Sequence, residues 1–119
     1  MAMSHRKTTL TKNSSLRIRN QDLYIGLVRL HVLHHAAEGP IFGLGIIEEL
    51  GCHGYRLGPG TIYPLLHGMV KRGWLRASAQ IVAEKRRRTY AATGAGRRAL
   101  KVAREKVRQL YEEMFEERS

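Results

Sequence analysis

The sequence predicts a mainly α (α+β) fold: a winged helix-turn-helix domain with a two-stranded wing, followed by a long C-terminal helix. Apolar residues recur every three or four positions in separate segments before Gly73, which is typical of amphipathic helices. The period changes to two after Trp74, which is typical of a β-hairpin. The last segment returns to helical spacing for roughly six turns.

Length and composition indicate one small domain. The chain has 119 residues, which is the size of a single domain. Residues 1–20 carry cations and no acid among polar residues, so we expect a flexible basic N-terminal arm. Residues 21–93 form the predicted winged domain, and residues 94–119 form the predicted C-terminal dimerisation helix. Because no apolar leader and no membrane-length run is seen, we expect a cytoplasmic protein without a membrane partner.

The first helix is expected from about residue 23 to 37, with Asp22 as its N-cap and Gly39 after its end. It is apolar on more than one side, and such a helix must be buried by two partners. A small domain rarely offers two. We therefore expect Ile25 and Val32 to face outward, towards a second copy of the chain.

Two short helices follow. The second is expected from about residue 43 to 50, where Gly51 stops it. The third is expected from about residue 60 to 72. Pro59 suits its first turn, because proline has no N–H to leave unpaired, and Gly73 suits the position just past its end.

The third helix has two stripes. One is apolar and should pack on the first two helices. The other contains Tyr63, His67 and Lys71, which lie four positions apart and share a helix face. In a winged helix-turn-helix the third helix lies in the DNA major groove, so we expect this stripe to face DNA. Thr61 and Pro64, near the helix N-terminus where unpaired N–H groups attract phosphate, complete the candidate contacts.

The wing is expected from two strands, "WLRASAQI" and "RRRTYAA", around a turn near residues 82–85. The hairpin carries a run of cations. Strand alternation sends successive side chains to opposite sides, so only some of them can meet DNA. The candidates for phosphate or minor-groove contact are Lys85, Arg86 and Arg88.

Thr93 is the expected N-cap of the last helix, from about residue 95 to 117. Its apolar residues recur at spacings of three and four, which gives a narrow stripe. A domain built on short helices cannot cover so long a stripe, so we expect a two-fold dimer. The predicted interface on this helix is Leu100, Ala103, Val107, Leu110 and Met114.

The charge points to the class of partner. The chain has 21 Lys and Arg against 10 Asp and Glu, a net charge of +11. Such an excess favours nucleic acid or an anionic membrane as partner, and with this fold it favours double-stranded DNA. Two alternatives remain. An RNA-binding protein would need exposed stacking aromatics or a sheet face, and a helical ligand-binding scaffold would not need a basic wing.

No enzyme, cofactor or metal site is predicted. The sequence shows no recognisable arrangement of nucleophile, base and orienting group, and no glycine loop that cradles phosphate. His31 and His35 have a spacing that can bind a metal. No third ligand is evident, although His34, Cys52 and His53 are available, so we expect histidines at a dimer surface. Nothing shows that Cys52 is a reactive thiolate.

Two segments resemble the PadR family of transcriptional regulators. "PGTIYPLLHGMVKRGWL" is similar to the family pattern P-G-T-x-Y-P-x-L followed by a turn and G-[WL]-[LI]. "RRRTYAATGAGRRAL" is similar to the family's wing strand, threonine cap and G-R start of the last helix. The resemblance runs from about Leu23 to Leu110 and is to the smaller subtype with one C-terminal helix.

The resemblance implies a dimeric winged-helix repressor that binds an operator and is relieved by a small-molecule effector. A pocket for that effector would lie between the first and last helices, with Tyr24, Val28 and Tyr111 as candidate wall residues. One stretch departs from the family, which usually has an aromatic residue or histidine followed by Gly-Tyr in the second helix. Here Leu44 stands where that tyrosine would be, so no contact of its hydroxyl can be carried over.

Overall fold

The computed structural model describes residues 14–116 of the chain, and residues 22–81 and 83–116 with their side chains. Within residues 14–116, three antiparallel strands form one small sheet in the order β1-β3-β2, and four helices accompany it. This confirms the predicted mainly helical fold with a long C-terminal helix. The elements in chain order are α1 (Ser14–Glu38), β1 (Ile41–Phe42), α2 (Gly43–Cys52), α3 (Pro59–Lys71), β2 (Leu75–Val82), β3 (Lys85–Ala92) and α4 (Gly94–Phe115).

Helix α1 begins at Ser14, well before the expected start, so the predicted N-cap at Asp22 is wrong. Residues 14–20 of the expected flexible arm are helical, and residues 1–13 of that arm lie outside the described residues. The physical reason is that the stretch before Asp22 contains neither proline nor glycine. Nothing in it interrupts a helix once the following turns are fixed by packing.

Strand β1 is an element that sequence reasoning did not predict. It pairs antiparallel with β3, with Ile41 opposite Tyr90 and Phe42 opposite Thr89. A strand of two residues has no readable periodicity, and its partner lies far along the chain. Because Phe42 is also the N-cap of α2, this short strand joins α2 directly to the wing.

The core lies between the inner faces of α1, α2 and α3 and the root of the sheet. Val32 is fully buried there, so its predicted outward position is wrong. Ile25 is half-buried and packs against the same core, so only part of its side chain is open to the predicted interface. The large apolar side chains that α1 exposes in its described part are Leu23 (71% exposed), Tyr24 (41%) and Leu27 (43%). Val32 belongs to an inward stripe with Val28, since residues four apart share one helix face.

Thr93 joins the end of α3 to the start of α4, as its predicted capping role requires. Its hydroxyl donates to the carbonyl oxygen of Gly73 and accepts from the backbone N–H of Gly96 at 3.0 Å. Gly73, the predicted stop, has a φ of 82°. A Cβ on Gly96 would overlap the carbonyl group of Trp74. Glycine at 96 therefore allows the first turn of α4 to lie directly on the base of the wing.

The backbone of the hairpin turn between β2 and β3 is strained, because two residues with a Cβ adopt positive φ angles there. Ala83 and Glu84 have φ angles of 53° and 64°, a conformation that favours Asn and Gly. We predict that the double substitution Ala83→Asn and Glu84→Gly raises the free energy of unfolding by about 1 kcal/mol. Denaturant titration should show a higher midpoint at an unchanged slope. Ala83→Val is the control and should lower stability, and a gain from that variant would contradict the explanation.

Candidate nucleic-acid interface

The outer face of α3 is an exposed stripe. Gly60, Pro64, His67 and Lys71 are exposed and follow one another at helical spacing. The opposite face is buried in the core, as the apolar stripe predicts. Its members are Ile62, Leu65, Leu66 and Met69. The exposed stripe is short and polar at its C-terminal end, and it is accessible to a partner with a groove that can accept a helix.

Tyr63 stands at the edge of this stripe rather than on it. Its side chain is half-buried and packs against the core. The ring lies over Gly43 at the start of α2, where an added Cβ would overlap it. Helical spacing placed Tyr63 with His67 and Lys71, but spacing alone does not show which neighbour covers a side chain. Gly43, which sequence reasoning did not single out, is therefore a positioning residue for Tyr63.

The aromatic edge of α3 meets the wing at Tyr90 of β3. The Tyr90 side chain is fully buried, and burial raises the pKa of its hydroxyl. The nearby Arg88 guanidinium acts in the opposite direction and Tyr63 in the same direction as burial. No described group forms a hydrogen bond of normal geometry with the Tyr90 hydroxyl, although Arg88 lies close enough to affect its pKa. Tyr63 of α3 and Arg88 of β3 are thus both close enough to Tyr90 to affect the pKa of its hydroxyl.

The N-terminus of α3 is open to solvent. Its N-cap is Gly58, so no side chain caps the helix. The N–H groups of Thr61 and Ile62 both donate to the Gly58 carbonyl at 3.0 Å, while Gly60 is exposed. Thr61 is half-buried, which leaves it less accessible than the expected contact role requires. The helix end itself, with its positive dipole, is suited to a phosphate group.

The wing presents exposed cations on both sides of strand β3. Lys85, Arg86 and Arg88 are exposed, whereas Arg87 is half-buried. The Arg87 guanidinium carbon lies 5.0 Å from the centre of the Phe42 ring, within the range of a cation–π contact. Strand alternation places Arg86 and Arg88 on one side and Lys85 with Arg87 on the other, so the burial of Arg87 alone reflects its contact with Phe42. Arg87 contacts Phe42 of β1, and the other three cations are exposed to an anionic partner.

Arg72 is a further cation beside the stripe that sequence reasoning missed. It is exposed at the C-cap of α3, directly after Lys71, and its guanidinium carbon lies 5.4 Å from the centre of the Trp74 ring. The sequence could have indicated it, because Arg72 stands between Lys71 and the predicted helix stop at Gly73. It extends the positive charge at the end of α3.

Helix α4 leaves the domain after its first turns. Leu100 and Ala103 are half-buried, whereas Val107, Leu110 and Met114 are exposed. The predicted stripe is therefore half-buried against its own domain near the start of α4 and exposed further along the helix. Two aromatic residues of α4 that were not predicted to lie in the dimer interface, Tyr111 and Phe115, are also exposed. Their ring centres are 4.8 Å apart.

A groove of about 590 Å³ lies between α1 and α4. Tyr111 lines it, as predicted, but Tyr24 and Val28 do not. Val28 is only 2% exposed and belongs to the core, and the Tyr24 ring lies edge-on to Tyr55 with centres 6.4 Å apart. The reason is again the orientation of α1, whose groove side is formed by other residues. The lining of the groove is Leu27, Leu30, His31, His34, Leu100, Ala103, Arg104, Val107, Arg108 and Tyr111.

Comparison with known proteins agrees with this architecture. Residues 32–102 match the family described as "Transcriptional regulator PadR-like family". The chain belongs to this family. It is 44% identical over 88 residues to the transcriptional regulator Rv3488 of Mycobacterium tuberculosis, covering 74% of this chain and 82% of that protein. The chain is accordingly a winged-helix transcriptional regulator and not an enzyme.

Solved structures support the same fold for this PadR-like regulator. A PadR family regulator from Eggerthella lenta has a TM-score of 0.63 at 25% identity and covers 95% of this chain and 94% of its own. A PadR-like regulator from Bacillus cereus has a TM-score of 0.68 at 20% identity, covering 82% and 99% respectively. Among the described residues, no helix has the length and apolar character needed to span a bilayer.

Proposed function

We propose that this PadR-like regulator is a cytoplasmic repressor that binds an inverted-repeat operator as a homodimer. The observation that supports the DNA contact best is the exposed α3 stripe together with the exposed cations of β3. The stripe contributes Pro64, His67 and Lys71, with Tyr63 at its edge. Because Tyr63 and Arg88 both lie near Tyr90, a duplex seated on α3 would also meet the wing.

The two elements would have different roles in this complex. A helix in the major groove reaches base edges, where lysine can bind guanine oxygen and nitrogen acceptors. The wing cations Lys85, Arg86 and Arg88 would contact phosphates, which position a protein without reading sequence. The uncapped N-terminus of α3 would hold one more phosphate.

The dimer is proposed from exposed apolar surface. Leu110 is 52% exposed and Met114 is 66% exposed on α4, and the outward residues Leu23 and Leu27 of α1 are also apolar. An apolar patch of this kind marks an interaction surface. A two-fold pair is the commonest way for identical chains to cover it. Such a pair would place two α3 helices about one DNA turn apart, roughly 34–36 Å, on an inverted repeat.

Repression and its relief are proposed on separate grounds. A dimer seated across an operator would exclude RNA polymerase from an overlapping promoter. The groove between α1 and α4 would hold a small, largely apolar effector against Leu27, Val107 and Tyr111. Since those helices also carry the proposed dimer surface, a ligand bound there would alter the separation of the two α3 helices.

Salt dependence of DNA binding tests the electrostatic part of the proposal. We predict that the logarithm of the affinity for duplex DNA falls linearly with the logarithm of salt concentration. The slope should be about 0.9 for each phosphate contacted, because each bound cation releases condensed counterions. Fluorescence anisotropy at several salt concentrations measures it. Single-stranded and hairpin RNA of equal length are the controls, and a flat response on duplex or stronger binding to RNA would contradict the proposal.

A further inference from the structure

Four metal-ligating side chains meet where the C-terminal half of α1 packs beside the end of α2. His31 and His35 lie four apart on α1, and Glu49 and His53 lie four apart on α2 and its C-cap. Each pair therefore shares one face of its helix. The site is at the opposite end of α2 from Gly43 and the α3 stripe.

The carboxylate of Glu49 lies between two of the imidazoles. One carboxylate oxygen of Glu49 lies 3.6 Å from Nε2 of His35 and 3.6 Å from Nε2 of His53. The ring of His31 lies 4.7 Å from the ring of His53, centre to centre. Ligands bound at about 2.0–2.1 Å in a tetrahedron are separated by roughly 3.3–3.4 Å. Both Glu49 distances are close to this separation, whereas the imidazoles would have to rotate towards one another to share an ion with that carboxylate.

A second group in the same region has its donor atoms closer together but is more exposed and comes from one helix. His34, His35 and Glu38 all lie on the last turns of α1, with their donor atoms within 4.8 Å of one another. His34 and Glu38 are more than half exposed, and adjacent helical residues point about 100° apart. Ligands from two helices, by contrast, converge from opposite sides on one point.

We propose that His35, Glu49 and His53, together with His31, bind one divalent transition-metal ion and thereby fasten α1 to α2. Imidazole nitrogens with one carboxylate oxygen are a ligand set that zinc accepts in tetrahedral geometry. The site is independent of the proposed DNA contacts. It would stabilise the helix pair that supports α3.

The test uses the full chain and two metal probes. Calorimetric titration with Zn²⁺ should give one ion per chain, and Co²⁺ should give the visible absorption of a tetrahedral site. Glu49→Gln and His53→Gln should each weaken Zn²⁺ affinity at least about tenfold. His34→Gln and Glu38→Gln are matched controls on the alternative group and should retain wild-type affinity. Both ligand positions are partly exposed, so circular dichroism should show that their variants are folded.

Thermal unfolding supplies a second readout, because an ion that binds only the folded chain stabilises it. Zn²⁺ should raise the Tm of the wild type and of the two controls, and should leave Glu49→Gln unchanged. The proposal is overturned if no variant differs from the wild type, or if loss of affinity follows His34 and Glu38 instead. An intense sulfur-to-cobalt band that disappears in Cys52→Ser would also overturn it, since the ligand set would then be different.

Discussion

Leu110→Glu is expected to convert the regulator into a monomer and to abolish specific operator binding, although Leu110 lies on α4 and not on α3. Leu110 is 52% exposed in the single chain, and burying such a side chain contributes about 1.5–3 kcal/mol per copy. The substitution removes that contribution and places two carboxylates close together near a two-fold axis. Each half-site would then be bound separately, which should lower operator affinity by roughly 10²–10⁴-fold.

Sedimentation and gel-shift titration measure the two effects together. Gln109→Glu is the matched control, because it adds the same charge to the next residue of α4, on a different face. That variant should remain dimeric and bind normally. Folding of Leu110→Glu should be unaffected, since this part of α4 contacts no described core residue. A monomeric wild type at micromolar concentration, or a dimeric Leu110→Glu, would remove the basis for the proposed inverted repeat.

The elements that sequence predicted well are those with strong local signals. Helix α3 begins at Pro59 and is followed by Gly73 at a positive φ, because a missing N–H and a missing Cβ act within one turn of the chain. Thr93 caps α4 for the same kind of reason. These residues act on their own neighbours, so their effects can be derived without knowing the fold.

The failures concern contacts between distant segments. Val32 was expected to face outward because α1 is apolar all round, and only the packing of α2 and the sheet decides which side is buried. Tyr63 was placed with the exposed stripe by spacing alone, whereas Gly43 of another helix receives its ring. Strand β1 has no signal apart from its pairing with β3. In each case the deciding atom lies on another element.

The histidine cluster shows the same limit, because sequence identified part of the candidate metal site but not the ligand contributed by another helix. His31 and His35 were recognised as a spacing that can bind metal, but no third ligand was evident. The candidate third ligand is a carboxylate oxygen of Glu49, which lies on the short helix α2. Nothing in its local sequence distinguishes it from Glu48 beside it. Only the crossing of α1 and α2 brings that carboxylate between two imidazoles.

The second large expected effect is on operator affinity and specificity, and it follows from the different roles proposed for α3 and the wing. Lys71 is exposed on the outer stripe of α3, so Lys71→Ala should lower affinity for the operator by about 1–3 kcal/mol and reduce discrimination against mismatched duplexes. This variant is cleaner than Tyr63→Ala. Tyr63 also packs against the core, and its loss would combine binding and stability effects.

Arg86→Ala should behave differently, because Arg86 is an exposed cation on the wing. It should weaken operator and random duplex by similar factors and reduce the salt slope by about one phosphate contact. Lys106→Ala on α4 removes the same charge elsewhere and should change neither sequence preference nor salt slope. Binding titrations on operator, mismatched and random duplexes at two salt concentrations separate these outcomes. If Arg86→Ala altered sequence preference while Lys71→Ala left operator affinity intact, the wing would be the reading element and α3 would not lie in the major groove.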